Sequence, residues 1–318
     1  DKYIVADNKI AIIGGRNIGD KYFNPDWYNK KVTNDMDIII VHSDLNDDGS
    51  VLSQLSSYYE LVWNHPYTKS PVKRLSTLQY NKGIKKGQAL KENASKQKEA
   101  HKALFEKEID FMALSSPTNK ITLIHNPISR FSKEPRVWYE ITQLMATAQK
   151  SVFIQSPYVV PIKQMTRDYI DKERFKDINV SILTNSLAST PNPPAYSGYL
   201  NHRKEIVDSN INVYELQSQH STHGKSFVID DDLVLIGSFN LDPRSAYLST
   251  ESMVAIHSSD LVQKFKEGTE EYVAHSLLVG PDYNYIPKAG VKEEKVSFVK
   301  KTFIKSLSYL TRFFEYLL

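Results

Sequence analysis

His223, Lys225 and Asn240 are the residues of this chain whose types and spacing best suit phosphoryl chemistry. In an extended segment, residues two apart point to one side. Imidazole and ammonium then share a surface, about 7 Å apart along the chain. Imidazole attacks phosphorus or moves protons near neutral pH, and an ammonium neutralises phosphate oxygens. Gly237 and Ser238 make a small-residue turn before Asn240, where backbone can approach an anion closely. Taken singly these signals are weak, because most histidines are solvated or structural.

The constellation recurs. Residues 2–17, KYIVADNKIAIIGGRN, align without a gap on residues 225–240. Lys2/Lys225, Val5/Val228, Asp7/Asp230, Ile13/Ile236, Gly14/Gly237 and Asn17/Asn240 are identical pairs. The counterpart of His223 falls one position before Asp1. A purely structural repeat would not require Lys and Asn to recur. Two copies facing each other would clamp one phosphodiester from both sides. Asp230 falls on the strand face opposite Lys225, which suits a tie to the turn better than proton transfer. As the acidic members of the repeat, Asp230 and Asp7 are still counted with the catalytic set. Glu251, in TESMVAIH, is expected to accept a ring N–H of His223 and raise its basicity. Asp35, in NDMDIII, is expected to orient the imidazole of the first half-site, in preference to Asp37.

The elements that must position these residues are legible in outline. The chain has 318 residues, enough for two ordinary domains or one large α/β unit. Its net charge of +3 is compatible with phosphate-bearing partners but is no signature of a nucleic-acid binder. It contains no cysteine, which excludes thiol catalysis and disulfides. No run of about 18 apolar residues suggests a transmembrane span. Strands are expected at 3–6, 10–13 and 37–42. A turn at 47–50 should lead to a helix with Val51, Leu55, Tyr58, Tyr59 and Val62 on one side, stopped by Pro66. The Lys-, Asn- and Gln-rich stretch 81–108 reads as a solvated helix or mobile insertion. A strand at 121–125 opens a second unit, and Pro135 starts a helix carrying Val137, Ile141, Leu144, Met145 and Ala148. Strands at 151–161, 179–186 and 211–216, with a helix near 197–208, lead into the 223–240 hairpin. That alternation argues an α/β fold with a mixed or parallel sheet. In 293–318, Val296, Val299, Phe303, Leu307, Leu310, Phe314 and Leu317 line one side. A helix docked on the protein body is preferred there to one lying on an anionic membrane.

The pattern His-x-Lys, four residues, Asp, six residues, Gly-(Gly/Ser)-x-Asn resembles the signature of the phospholipase D superfamily. The wording around it resembles the bacterial cardiolipin synthase C-like branch: GGRNIGDKYF (14–23), SPYVVP (156–161), LTNSLAST (183–190), GYLNHRK (198–204) and GSFNLDPRSAYLSTE (237–251). The resemblance implies an α/β fold of two pseudo-twofold-related lobes, with mixed sheets flanked by helices and one site between them. The first lobe, 1–119, would be incomplete and carry the insertion at 81–108. The second would span 120–280, with an amphipathic tail at 281–318. It implies a phosphatidyltransferase or phospholipase D that works through a phosphohistidine, without metal or other cofactor. The nucleophile would come from the first motif and His223 would be general acid and base. Lys2, Lys225, Asn17 and Asn240, with Ser238 and Gly15, would hold the phosphate. The substrate would be phosphatidylglycerol or a similar phospholipid with an alcohol acceptor, at the periphery of a bacterial cell membrane. The chain is expected to be truncated within its first motif and inactive or poorly active alone. A phosphodiesterase or nuclease of the same superfamily and a non-catalytic remnant are the competing readings; nucleic acid is disfavoured by the weak net charge.

Overall fold

A computed structural model describes residues 1–43, 49–70 and 74–318. The turn expected at 47–50 lies partly outside the described residues. By packing, Asp1–Ser56 and Ser116–Leu318 form one compact unit and Ser57–Ser115 a second. The lobe boundaries expected from the repeat, at 119 and 280, concern ancestry rather than packing and stand as a proposal.

The chain opens with β1 (Tyr3–Ala6) and β2 (Ile10–Gly14), an antiparallel hairpin. The two-residue β3 (Thr33–Asn34) precedes β4 (Asp37–Val41), which pairs with β2. After β5 (Lys120–His125) come β6 (Ser151–Gln155), β7 (Asn179–Asn185) and β8 (Asn212–Leu216). β9 (Ser221–Thr222), β10 (Ser226–Ile229), β11 (Leu233–Gly237), β12 (Ser252–His257) and β13 (Ser276–Leu278) complete the set. The large sheet has eight strands in the order β13-β8-β7-β6-β10-β11-β12-β5. β6, β7 and β8 are mutually parallel and the other pairings are antiparallel. The expectation of a mixed α/β sheet flanked by helices is met.

The two motif copies form superimposable hairpins. Tyr3 pairs with Ile13 as Ser226 pairs with Ile236. Gly14 N donates to Lys2 O and Gly237 N to Lys225 O, each at 3.3 Å. Asp7 and Asp230 occupy the same turn position with the same left-handed φ of 52°, a conformation Asp tolerates better than most residues. Third strands also correspond, since Gly14 faces Asp37 and Gly237 faces Met253. Asp35 and Glu251, each two residues before those positions, are therefore equivalents.

Strands β10 to β12 are buried on both faces, which is why they read as near-continuous apolar runs. Phe227, Ile229, Leu235 and Met253 join the core under the helices Arg136–Met145 and Pro193–Asp208. Val228, Val234, Ile236, Val254 and Ile256 pack on the other side against Ala11, Ile13, Ile40, Leu52 and Leu55. The first hairpin is thus seated on the back of the second. The helix Val51–Trp63 forms as its spacing predicts, but Leu52 is buried and Tyr59 is exposed. In the other unit, the helix Thr77–Ala100 starts at a Ser76/Gln79 capping box and has no buried residue, as expected for a solvated stretch.

The helix Phe298–Thr311 is docked, but by a different stripe from the one its pattern suggested. Ile304, Ser308 and Thr311 are buried, while Val299, Phe303 and Leu310 face outward.

Candidate active site

His223 and Lys225 lie in the short link between β9 and β10, not on a strand. Their side chains converge nevertheless. Lys225 Nζ is 2.8 Å from His223 Nδ1 and donates to the His223 carbonyl oxygen at 2.5 Å. Both residues are buried. The link is held from below by buried amides. Asn185 exchanges two hydrogen bonds with the Thr222 backbone, at 2.9 and 3.0 Å, and Gln155 Nε2 donates to Thr222 Oγ1 at 2.8 Å. The sequence signal for these supports is a polar residue ending an otherwise apolar strand, in FIQ and LTN.

The carboxylate on His223 is Asp35, not Glu251. Asp35 Oδ2 lies 2.5 Å from His223 Nδ1, and the Asp35 side chain is fully buried. The cause is a parallel bridge between β3 and β9, which pairs Thr33 with Ser221 and Asn34 with Thr222. His223 N donates to Asn34 O at 2.7 Å and Ser221 Oγ to Thr33 Oγ1 at 3.0 Å. The chain entering the first acid runs beside the chain entering the second histidine, so the pair forms across the repeat. Glu251 lies instead beside the start of the first motif, where Asp1 N reaches the neighbouring Thr250 O at 3.3 Å.

Gly15 fits this junction because a Cβ there would come within 2.7 Å of Asp35 Oδ1 and 3.1 Å of Lys225 Nζ. Lys2 acts on the same place: its charge lowers the pKa of both His223 and Lys225. Burial is the largest cause of both shifts. It pushes Lys225 down to about 7, opposed by Asp35. His223 is lowered by burial, raised by Asp35 and lowered again by Lys225.

Tyr22 and Tyr158 set their ring edges against the imidazole, with centroids 5.3 and 6.1 Å from it. Tyr158 follows a strand end, where clefts open; Tyr22 carried no signal in the sequence beyond its place near Asn17. Asn17, exposed, donates to Tyr22 Oη at 2.9 Å. Asn240 Nδ2 donates to Ser245 Oγ at 3.3 Å, and its buried Oδ1 has no partner among the described residues. Arg16 is occupied by Asp37 at 2.5 Å and by the Tyr22 and Asp35 carbonyls. Among the described residues no three His, Cys, Asp or Glu side chains are grouped to hold a metal ion.

Three expected site residues stand elsewhere. Asp7 and Asp230 sit at the far tips of their hairpins, about 16 Å of extended chain from Lys2 and Lys225. The Asp230 carboxylate accepts from the backbone N–H groups of Gln149, Lys150 and Ser151 at 2.8, 2.8 and 2.9 Å. Its work is to tie the turn to the start of β6. Ser238 is also withdrawn, since its hydroxyl accepts from Ser252 N at 3.1 Å.

The doubled hairpin carries one imidazole, two lysines and two asparagines at equivalent offsets, the layout expected from the resemblance to the phospholipase D superfamily. Residues 141–272 match the family described as Cardiolipin synthase, PLD-like domain. The crystal structure of phosphatidylserine synthase from Haemophilus influenzae Rd KW20 superposes with a TM-score of 0.61 at 13% identity, covering 98% of this chain and 69% of that one. It is a likeness of fold. A Helicobacter pylori strain 26695 protein described as uncharacterized is 30% identical over 317 residues, covering 87% of this chain and 57% of its own length. Cardiolipin synthase C of Escherichia coli K12 is 27% identical over 296 residues, covering 83% and 59%. The chain is thus similar to cardiolipin synthases in its matched segment and in these relatives. The chain spans somewhat more than half the length of these curated relatives.

Proposed function

We propose that this chain carries the phosphoryl-transfer site of a phospholipid phosphatidyltransferase of cardiolipin synthase type. The observation that carries the reading is the Asp35–His223 contact at 2.5 Å, with Lys2 and Lys225 acting electrostatically on the same imidazole. Asp35 on Nδ1 fixes the ring, and Nε2, 3.3 Å from Lys225 Nζ, is the nitrogen that would serve the substrate beside that ammonium. His223 is the general acid and base. A phosphohistidine route needs a second imidazole as nucleophile, and Glu251, the register equivalent of Asp35, is the residue suited to orient one at the first motif.

In the first step a nitrogen–phosphorus bond forms as the phosphorus–oxygen bond to the departing alcohol breaks. His223 Nε2–H gives its proton to that oxygen. In the second step Nε2 takes the proton of the acceptor alcohol, whose oxygen attacks phosphorus while the phosphohistidine bond breaks. Lys2, Lys225, Asn17 and Asn240 counter the charge that builds on the phosphoryl oxygens.

The test is transfer from fluorescent phosphatidylglycerol to an alcohol acceptor. It compares the chain as it stands with one extended by a histidine immediately before Asp1. Transfer by the extended protein, an acid-labile phosphoprotein, and loss of both in His223→Ala are expected. Cleavage of DNA diesters without lipid transfer would move the substrate to nucleic acid. A folded protein inert toward both, in both forms, would sink the enzymatic reading.

A further inference from the structure

We propose that Ser245 and Tyr22, each five residues beyond a motif asparagine, are positioning residues that aim the Asn240 and Asn17 amides at one bound phosphoryl group. The proposal rests on the phosphoryl-transfer reading above.

An asparagine amide turns easily about its last side-chain bond, so two amides that serve one phosphate need something to hold them. In the second copy the backbone around Asn240 is fixed. Asp242 N donates to Asn240 O at 2.8 Å, Leu241 N to Ser156 Oγ at 3.1 Å, and Val160 N to Leu241 O at 2.8 Å. Rotation of the amide is the freedom that remains, and Ser245 removes it. Its Oγ accepts from Asn240 N at 3.2 Å and from Asn240 Nδ2 at 3.3 Å.

A hydroxyl has one proton and two lone pairs. Asn240 uses both lone pairs of Ser245, so the hydroxyl proton goes elsewhere. The buried Asp242 carboxylate takes it, bonding the Ser245 side chain while also accepting from Ser245 N at 2.7 Å. Ser245 is itself buried and anchored through its carbonyl oxygen, which accepts from Asn126 Nδ2 at 2.9 Å. Of the two N–H groups on Asn240 Nδ2, Ser245 engages one and the other is left for an anion. This orientation keeps the amide oxygen buried with no partner among the described residues. Such an acceptor is unfavourable, and the chain Asp242–Ser245–Asn240 holds it there.

The first copy repeats the device with a different residue. Tyr22 stands five residues past Asn17 as Ser245 stands five past Asn240. Asn17 Nδ2 donates to Tyr22 Oη at 2.9 Å. Tyr22 is buried, its carbonyl oxygen accepts from Arg16 Nη1 at 2.5 Å, and its ring edge meets His223 at 5.3 Å between centroids. The hydroxyl that holds one amide is thus carried by the ring that packs on the imidazole. Serine and tyrosine differ in size, shape and packing. What they share at this offset is a hydroxyl that accepts from the motif amide.

The experiment is a pair of double-mutant cycles on the chain as it stands, read as affinity for inorganic phosphate by calorimetry. Ser245→Ala and Tyr22→Phe should each weaken phosphate binding about three- to tenfold. Tyr22→Phe keeps the ring beside His223 and removes the hydroxyl alone. Ser245→Ala should weaken binding no further in a protein that already carries Asn240→Ala, and Tyr22→Phe no further in one that carries Asn17→Ala, because each hydroxyl acts through its amide. A merely structural hydroxyl would leave phosphate affinity alone or add its full effect to that of the asparagine variant; either result overturns the proposal. So does a wild type that binds no phosphate. Binding is read without turnover, so a chain that follows both cycles but transfers no phosphatidyl group, even when extended by the histidine, sinks only the phosphatidyltransferase reading. Transfer by the extended protein, with wild-type phosphate affinity in both hydroxyl variants, sinks only the positioning.

Discussion

Asp35 and His223, 188 residues apart in the chain, meet at 2.5 Å in a contact that joins the two motif copies. The acid that contacts the imidazole of one copy comes from the other copy. Asp35 is also the main influence raising the His223 pKa against burial. Asp35→Asn is therefore expected to lower the NMR titration midpoint of His223 by about one unit or more. Glu251→Gln should leave that midpoint nearly unchanged. The reverse ranking would restore Glu251 as the orienting residue.

Lys225 makes stability depend on pH. Its folded pKa, about 7, lies below the unfolded value of about 10.4. Between those values the unfolded chain binds more protons, so Lys225's contribution makes stability rise with pH across that window. Lys225→Met should be more stable than wild type near pH 7, with an advantage that shrinks toward pH 10. Urea midpoints measured across this range check it; a constant difference would mean that Lys225 stays charged and paired.

Asp230→Ala should cost about 1–3 kcal/mol, because three backbone N–H groups lose their acceptor. The denaturant midpoint should fall while the His223 titration stays as in wild type. A changed titration would return Asp230 to the site.

Gly15→Ala should displace the Asp35 carboxylate and the Lys225 ammonium, whose nearest atoms are 2.7 and 3.1 Å from the added carbon. Weaker binding of inorganic phosphate and a shifted His223 resonance are expected. Wild-type values for both would show that the junction has slack.

Neighbours on the last helix should behave oppositely. Ile304→Ala, at a site 1% exposed, should cost about 2–5 kcal/mol. Phe303→Ser, 57% exposed, should stay within about 0.5 kcal/mol in the absence of lipid. Thermal unfolding of both variants decides which stripe is docked.

The sequence by itself determined the local order. Alternating apolar runs, turn residues and capping groups specify the strands and most helices, since these depend on neighbours a few residues away. The gapless recurrence of Lys, Asp, Gly and Asn made the paired hairpins legible, down to their common register. It could not say which acid serves which imidazole. That pairing depends on the bridge of Thr33 and Asn34 to Ser221 and Thr222, two dipeptides with no signal of their own. Nor could periodicity choose the docked side of the last helix. Its longest apolar row, through Val299, Phe303 and Leu310, faces outward, while the side carrying Ile304, Ser308 and Thr311 packs. A helical pattern states which residues share a face; only the shape and hydrogen-bonding groups of the opposing surface, here Asn201 and its neighbours, decide which face is buried.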